Sequence, residues 1–216
     1  MAKSKQIVPK RATPQVPHTL ASALLDFVGK VPASSLRKSK TPEADSRRVA
    51  NTAAAQAALA AGALSLPPGP LGWLTIVPEI VTVWKIQAQM VADIAALYGK
   101  KASLTKEQML YCLFRHTAAQ AVRDLVVRVG ERMLVRETSL RALQKIAERI
   151  GVRVSQRVLG KGITRWIPIV GAVGVGGYAY FDTAKIAGSA RELFQFDIEV
   201  QPLTKQDAIE EEEDDA

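Results

Sequence analysis

Residues 41–61 read T-P-E-A-D-S-R-R-V-A-N-T-A-A-A-Q-A-A-L-A-A. Thr41 has the side-chain oxygen that a helix N-cap uses to accept an otherwise unpaired backbone N–H. Pro42 suits the first helical position, where no N–H is required. Glu43 and Asp45 put negative charge at the positive end of the helix dipole. Val49 to Ala61 is dense in alanine, the residue with the strongest intrinsic preference for helix. Gly62, followed by Leu66-Pro67-Pro68-Gly69-Pro70, must end the run.

Outward from this helix, the same punctuation recurs. Thr19 to Val28 predicts a short helix stopped by Gly29, and Ser34 to Lys40 a linker. Ile80, Val83, Trp84, Val91, Ile94 and Tyr98 recur at helical spacing, interrupted at Gln87. They predict a helix from Pro78 to Tyr98 closed by Gly99. Thr105 with Gln108 forms a capping-box pattern that opens a helix to Val129, with Gly130 as terminator. Ser139 to Ile150, stopped by Gly151, sets Leu140, Leu143, Ala147 and Ile150 opposite Arg141, Lys145 and Glu148. Ile163 to Phe181 is apolar and glycine-rich, and Thr183 to Phe194 is amphipathic. Only Asp197 to Gln201 reads, weakly, as a strand. The expected class is all-α: a compact bundle of about six to eight helices, one of them glycine-rich and apolar, between disordered termini. Residues 1–40 read as a flexible basic arm, with the short helix at 19–28. Residues 41–196 read as a helical domain and 197–216 as an acidic tail.

The chain has 216 residues, 48% hydrophobic, which supports a core and excludes global disorder. Cys112 is the one cysteine, so no intrachain disulfide or multi-cysteine zinc site can form. Only His18 and His116 are available as histidine ligands, and no metal or cofactor is expected. Lys and Arg outnumber Asp and Glu by 29 to 21, but unevenly. Residues 1–48 carry ten basic and three acidic side chains, 49–196 eighteen and nine, and 197–216 one and nine. Like charges in a block repel and stay solvated, which predicts a disordered tail around Glu210–Asp215. Met1 to Pro17 has basic and proline residues but no long apolar core, so a secretory signal is not expected, and the expected setting is cytoplasmic.

Two stretches raise the question of a membrane. Val49 to Trp84 holds one charge, Glu79, and Trp166 to Phe181 holds none. A spanning helix needs ~20 mostly apolar residues. The first stretch is cut at Pro67–Pro70, and the second is short. Helices apolar all round are buried in protein or lie in lipid. Gly171, Gly174, Gly176 and Gly177 invite close helix packing, since glycine inside a helix otherwise costs roughly 1 kcal/mol relative to alanine. A core helix crossed tightly by its neighbours and a hairpin on a bilayer both satisfy this pattern. Lys161, Arg165 and Trp166 resemble an interfacial anchor, and Trp73 and Trp84 flank the other stretch.

Chemistry-bearing motifs are sparse. Val170 to Gly177 looks like a phosphate-binding glycine loop but lacks the following Lys-Ser/Thr and a preceding strand. Cys112 and His116 stand at i and i+4, where a thiolate–imidazole pair is geometrically allowed. Nothing completes a catalytic set, so no catalytic residue is expected. Glu79, next to Pro78, reads as a dipole-facing carboxylate at a helix start. Arg128, Arg132 and Arg136 fall at i, i+4 and i+8, a basic stripe if the helix is continuous. It reads first as a solvated face partly paired with Glu131, Glu137 and Glu148; as a binding surface it suits anionic lipid ahead of nucleic acid, because few aromatic residues stand among the arginines for base stacking.

Leu66-Pro67-Pro68-Gly69-Pro70-Leu71 through Pro78-Glu79-Ile80, continuing to Ile94-Ala95-Ala96-Leu97-Tyr98-Gly99, resembles the EcsC-like proteins. So does Ile167-Pro168-Ile169-Val170-Gly171-Ala172-Val173-Gly174, followed by Tyr178–Phe181 and a closing helix with Arg191 and Phe194. The resemblance covers roughly residues 50–194 and implies a helical protein. It carries no catalytic residue over. The family often has Asp where this chain has Glu79. The expected role is that of a non-enzymatic accessory protein at an anionic membrane surface or membrane complex; the alternative is a nucleic-acid-associated or scaffold protein.

Overall fold

The computed structural model describes residues 16–64, 72–160 and 168–203. Among them are seven α-helices, a 3₁₀ turn and three strands. In chain order the helices are α1 (Val16–Val28), α2 (Pro42–Leu64), α3 (Gly72–Leu97), α4 (Lys106–Phe114), α5 (Ala119–Val122), α6 (Leu140–Gly160) and α7 (Pro168–Phe194). The strands are β1 (Val126–Val129), β2 (Arg132–Arg136) and β3 (Asp197–Gln201). The class is all-α with a small appended sheet.

α2 starts where its cap sequence predicts. Asp45 accepts from the hydroxyls of Ser39 and Thr41, and Asp45 N donates to Thr41 O at 3.1 Å. The alanine run makes one buried stripe, Ala50, Ala53, Ala54, Ala57 and Ala61. Against it lies α7, whose inward residues are also small: Gly176, Ala179, Thr183, Ala187 and Ala190. Stripes without bulk let two helices approach closely, and this pair packs on α3. The larger core side chains, Leu20, Leu24, Ile94, Met109, Leu113, Phe114, Ile186 and Phe194 among them, fill the space between α1, α3, α4 and α7.

α1 packs on α6, and Leu20, Leu24 and Val28 are buried, so residues 16–28 belong to the bundle. α3 ends in a Schellman motif: Lys100 N donates to Ala95 O at 2.8 Å and Gly99 N to Ala96 O at 2.9 Å, with Gly99 at φ +76°. Thr105 caps α4 through Gln108 N at 3.3 Å, as its sequence pattern requires.

Four boundaries differ from the sequence reading. Pro78 is inside α3 rather than at its start, because Gly72–Val77 are already helical. Gly151 is buried within a continuous α6. α7 joins the two helices expected on either side of Asp182. The helix expected to reach Val129 stops at Phe114. After α5 the chain forms the hairpin β1–β2, with Val127 opposite Leu134 and Val129 opposite Arg132. Gly130, at φ +60°, is the first residue of the two-residue turn, a position that favours glycine. β3 adds to β2 in parallel, Met133 beside Ile198 and Val135 beside Val200. The first five residues of the expected acidic tail therefore complete a sheet.

Candidate functional site

α4 ends at Phe114, and the turn over Arg115–Ala118 carries His116 away from the axis of α4. His116 Nε2 lies 2.7 Å from Asp182 Oδ1 of α7. Asp182 Oδ2 accepts from Gln87 Nε2 of α3 at 3.1 Å, and the same amide reaches Thr183 Oγ1 at 3.1 Å. Thr183 donates to Ala179 O at 2.7 Å, and Thr117 Oγ1 stands 3.0 Å from His116 Nε2. This polar knot ties α3, the turn after α4 and α7 together at side-chain exposures of 16% for His116 and 17% for Asp182. Buried polar groups require such partners. Gln87, the interruption in the apolar pattern of α3, supplies one of them.

His116 is thus committed to Asp182, not to Cys112. Cys112 is fully buried in the apolar core, and burial pushes its thiol well above the usual range, with nearby Arg115 opposing only in part. A thiol held protonated is a poor nucleophile. One turn on, Arg115 binds Glu192 of α7 through two nitrogens, the longer contact at 3.1 Å, and its guanidinium lies 5.4 Å from the ring centre of Tyr111. The Glu192 hydrogen bond raises the Arg115 pKa.

Glu79 does not cap a helix start: it lies well inside α3 and is 5% exposed. Trp84, a candidate for helix packing or membrane contact, packs inside the bundle. It is buried and meets Phe114 edge-on, with ring centres 5.4 Å apart. The stripe expected from Arg128, Arg132 and Arg136 does not exist as a helical face, because these residues are on β1 and β2. Arg128 covers the Phe196 ring at 4.3 Å, Arg132 pairs with Glu199 at 3.5 Å, and Arg136 is exposed. Lys161, Arg165 and Trp166 lie outside the described residues, while Trp73 in α3 and Gly171 in α7 are placed by their helices alone.

A basic ladder does exist, on α6. Arg141, Lys145, Arg149 and Arg153 follow one another at four-residue steps along one continuous helix. Arg149 and Arg153, with Gln156, border a recess of about 630 Å³ whose other wall is the segment from Thr117 to Ala121. Arg153 reaches Gln120 Oε1 at 3.4 Å. A second recess, about 520 Å³, shares Arg149, Arg153 and Gln156 with the first and includes Lys145 and Glu148. The sequence conceals the full ladder because the expected helix ends at Gly151, short of Arg153.

The glycine run divides by face. Gly176 is buried on α2, and a Cβ built there would be 2.9 Å from Ala58 O. Gly174 and Gly177 look into open space. At 100° per residue they share a face with Val173, Tyr180 and Phe181, bordered by Tyr178 and Lys185. Val173 is 72% exposed and Phe181 68%, and Tyr178 and Tyr180 are also exposed. On α2, Leu59 is 74% exposed. Among the described residues, one stretch, Val77–Leu97 of α3, has the length and apolar composition to cross a membrane, and 56% of its apolar window is buried in the bundle.

These features define a helical bundle with small-residue packing between α2 and α7, a half-buried polar knot on α3 and α7 and a basic helix α6. The chain belongs to the EcsC protein family, whose model matches residues 28–196. No curated protein and no solved structure matches it.

Proposed function

We propose that this protein is a non-enzymatic helical accessory protein that associates with an anionic membrane surface or a membrane complex. The observation that carries the reading is the outward face of α7. Val173 and Phe181 are largely in solvent, Tyr178 and Tyr180 are partly so, and the glycines between them leave the face smooth. A helix that faces only water carries polar residues there. Tyrosine at the edge of an apolar face and Lys185 beside it fit the boundary between acyl chains and headgroups. The excess of basic side chains before residue 197 adds attraction to anionic lipid. The enclosure of Cys112 and the turning of His116 to Asp182 take away the thiolate–imidazole pair, the candidate nucleophile–base pair of the sequence.

Cosedimentation with phosphatidylcholine vesicles, with and without phosphatidylserine, tests this at low and high salt. Binding is expected to need phosphatidylserine and to weaken in salt. It is expected to strengthen when residues 204–216 are removed, since that segment carries like-charged acids that compete for basic surface. Val173→Glu with Phe181→Glu is expected to abolish binding while the far-UV circular dichroism stays unchanged. A monodisperse protein that binds no vesicle refutes the reading. Salt-dependent retention on duplex DNA without vesicle binding selects the nucleic-acid alternative.

A further inference from the structure

We infer that the recess between α6 and the Thr117–Ala121 segment binds the phosphomonoester headgroup of a membrane lipid. This rests on the membrane reading above and gives it a specificity site. Arg149 and Arg153 project from adjacent turns of α6 into one recess, and among the described residues neither pairs with a carboxylate. Two guanidinium forks carry two positive charges, which match the dianion of a phosphomonoester better than the monoanion of a phosphodiester. The remaining polar lining, the hydroxyl of Thr117 and the amides of Gln120 and Gln156, offers donors and acceptors suited to glycerol or sugar hydroxyls. A volume of about 630 Å³ holds a headgroup, whereas a nucleic-acid strand would need a longer groove with aromatic platforms. Among the described residues, no aromatic side chain lines this recess.

The recess is also joined to the proposed membrane face. Thr117 in its wall contacts His116, His116 is bound to Asp182, and Asp182 follows Phe181 directly on α7. The knot therefore fixes the recess relative to the apolar face, as a lipid whose tail and headgroup meet different elements requires.

The test compares phosphatidylcholine vesicles containing phosphatidic acid with phosphatidylserine vesicles of matched surface charge. The full chain is expected to bind the phosphatidic acid vesicles about tenfold more tightly, the size of effect that a charge-assisted bidentate contact gives. Arg149→Ala with Arg153→Ala is expected to remove that preference, to weaken binding to both vesicle types alike through the loss of two positive charges, and to leave the melting temperature nearly unchanged. Arg136→Ala, exposed but outside the recess, is expected to preserve the preference. Equal binding of the two vesicle types by the unaltered chain, or a preference that survives in the double variant, overturns the inference while the membrane reading stands. Binding to neither vesicle overturns the membrane reading and the lipid assignment together. Soluble glycerol 3-phosphate then reports on the recess alone: protection against thermal unfolding that the double variant loses makes it a site for a free phosphomonoester instead. Preferential binding of duplex DNA through the same two arginines overturns the lipid assignment.

Discussion

Gly176 of α7 rests on the main chain of Ala58 in α2, so close that a Cβ at Gly176 would fall 2.9 Å from the Ala58 carbonyl oxygen. Backbone cannot rotate aside as the end of a flexible side chain can, so the α2–α7 separation is set by the absence of that carbon. Gly177, one residue on, has nothing within 4 Å of the same built atom.

The two neighbours should therefore respond oppositely to alanine. Gly176→Ala forces the helices apart and is expected to cost about 1–3 kcal/mol, the range for overpacking. Gly177→Ala meets open space and gains helix preference, so it is expected to stabilise by roughly 0.5–1 kcal/mol. Urea unfolding of the two variants measures both. Equal effects would show that helix propensity, not close approach, governs this run.

His116 and Asp182 should behave as a coupled pair. His116→Ala leaves the Asp182 carboxylate with Gln87 alone, and Asp182→Ala leaves the His116 ring without its 2.7 Å partner. Each single change is expected to cost about 1–3 kcal/mol, and a double-mutant cycle should give a coupling of about 0.5–3 kcal/mol. Additive costs would mean that the contact contributes packing only.

The bundle was legible from short-range signals, and the candidate sites depended on long-range ones. Thr41-Pro42, the alanine stripe, the Thr105–Gln108 box and Gly99 act within a turn or two, so their sequence meaning survived folding. Asp197–Gln201 could be recognised as a strand from its alternation alone. The segment V-V-R-V-G-E-R-M-L-V-R at 126–136 reads as helix because Gly130 ends helices as readily as it opens a two-residue hairpin turn. The counter-signal was present: Val126, Val127, Val129 and Val135 are β-branched and spread around a helix instead of lining one face. The partner of His116 is 66 residues away, and no spacing rule reaches that far. Gln87 was visible only as an irregularity. The division of the glycines between a buried and an open face depends on where α2 lies, which the sequence of α7 does not contain.

Burial of Cys112 and of two tyrosines predicts an alkaline limb of stability. Desolvation raises the folded-state pKa of Cys112, Tyr98 and Tyr111 above the unfolded-chain values. For each group the unfolded chain loses its proton first as pH rises. The contribution is thus complete below the unfolded pKa, near 8.5 for a thiol and 10 for a phenol, and is lost above it. Between about pH 8.5 and 10 the thiol dominates, with a slope approaching 1.4 kcal/mol per pH unit. Cys112→Ala should flatten this part of the curve, and Tyr111→Phe the part above pH 10. In the same range the native thiol should resist a disulfide reagent that labels it at once in denaturant. Rapid labelling of the folded chain would mean that Cys112 is accessible.

Arg128 and Arg136 separate structure from surface charge within one hairpin. Arg128 lies over the Phe196 ring at 4.3 Å and donates from Nε to Gly130 O at 3.1 Å, so it links the hairpin turn to the chain entering β3. Arg136 is exposed at the end of β2. Arg128→Ala is expected to cost about 0.5–1 kcal/mol, the value of an exposed cation–π contact, and to speed exchange of the β2–β3 amides. Arg136→Ala is expected to change stability by less than about 0.5 kcal/mol, as surface substitutions do. Amide exchange followed by NMR on both variants distinguishes them. If Arg136→Ala loosens β3 as much as Arg128→Ala does, the sheet is held by its general positive field and not by the Arg128–Phe196 contact.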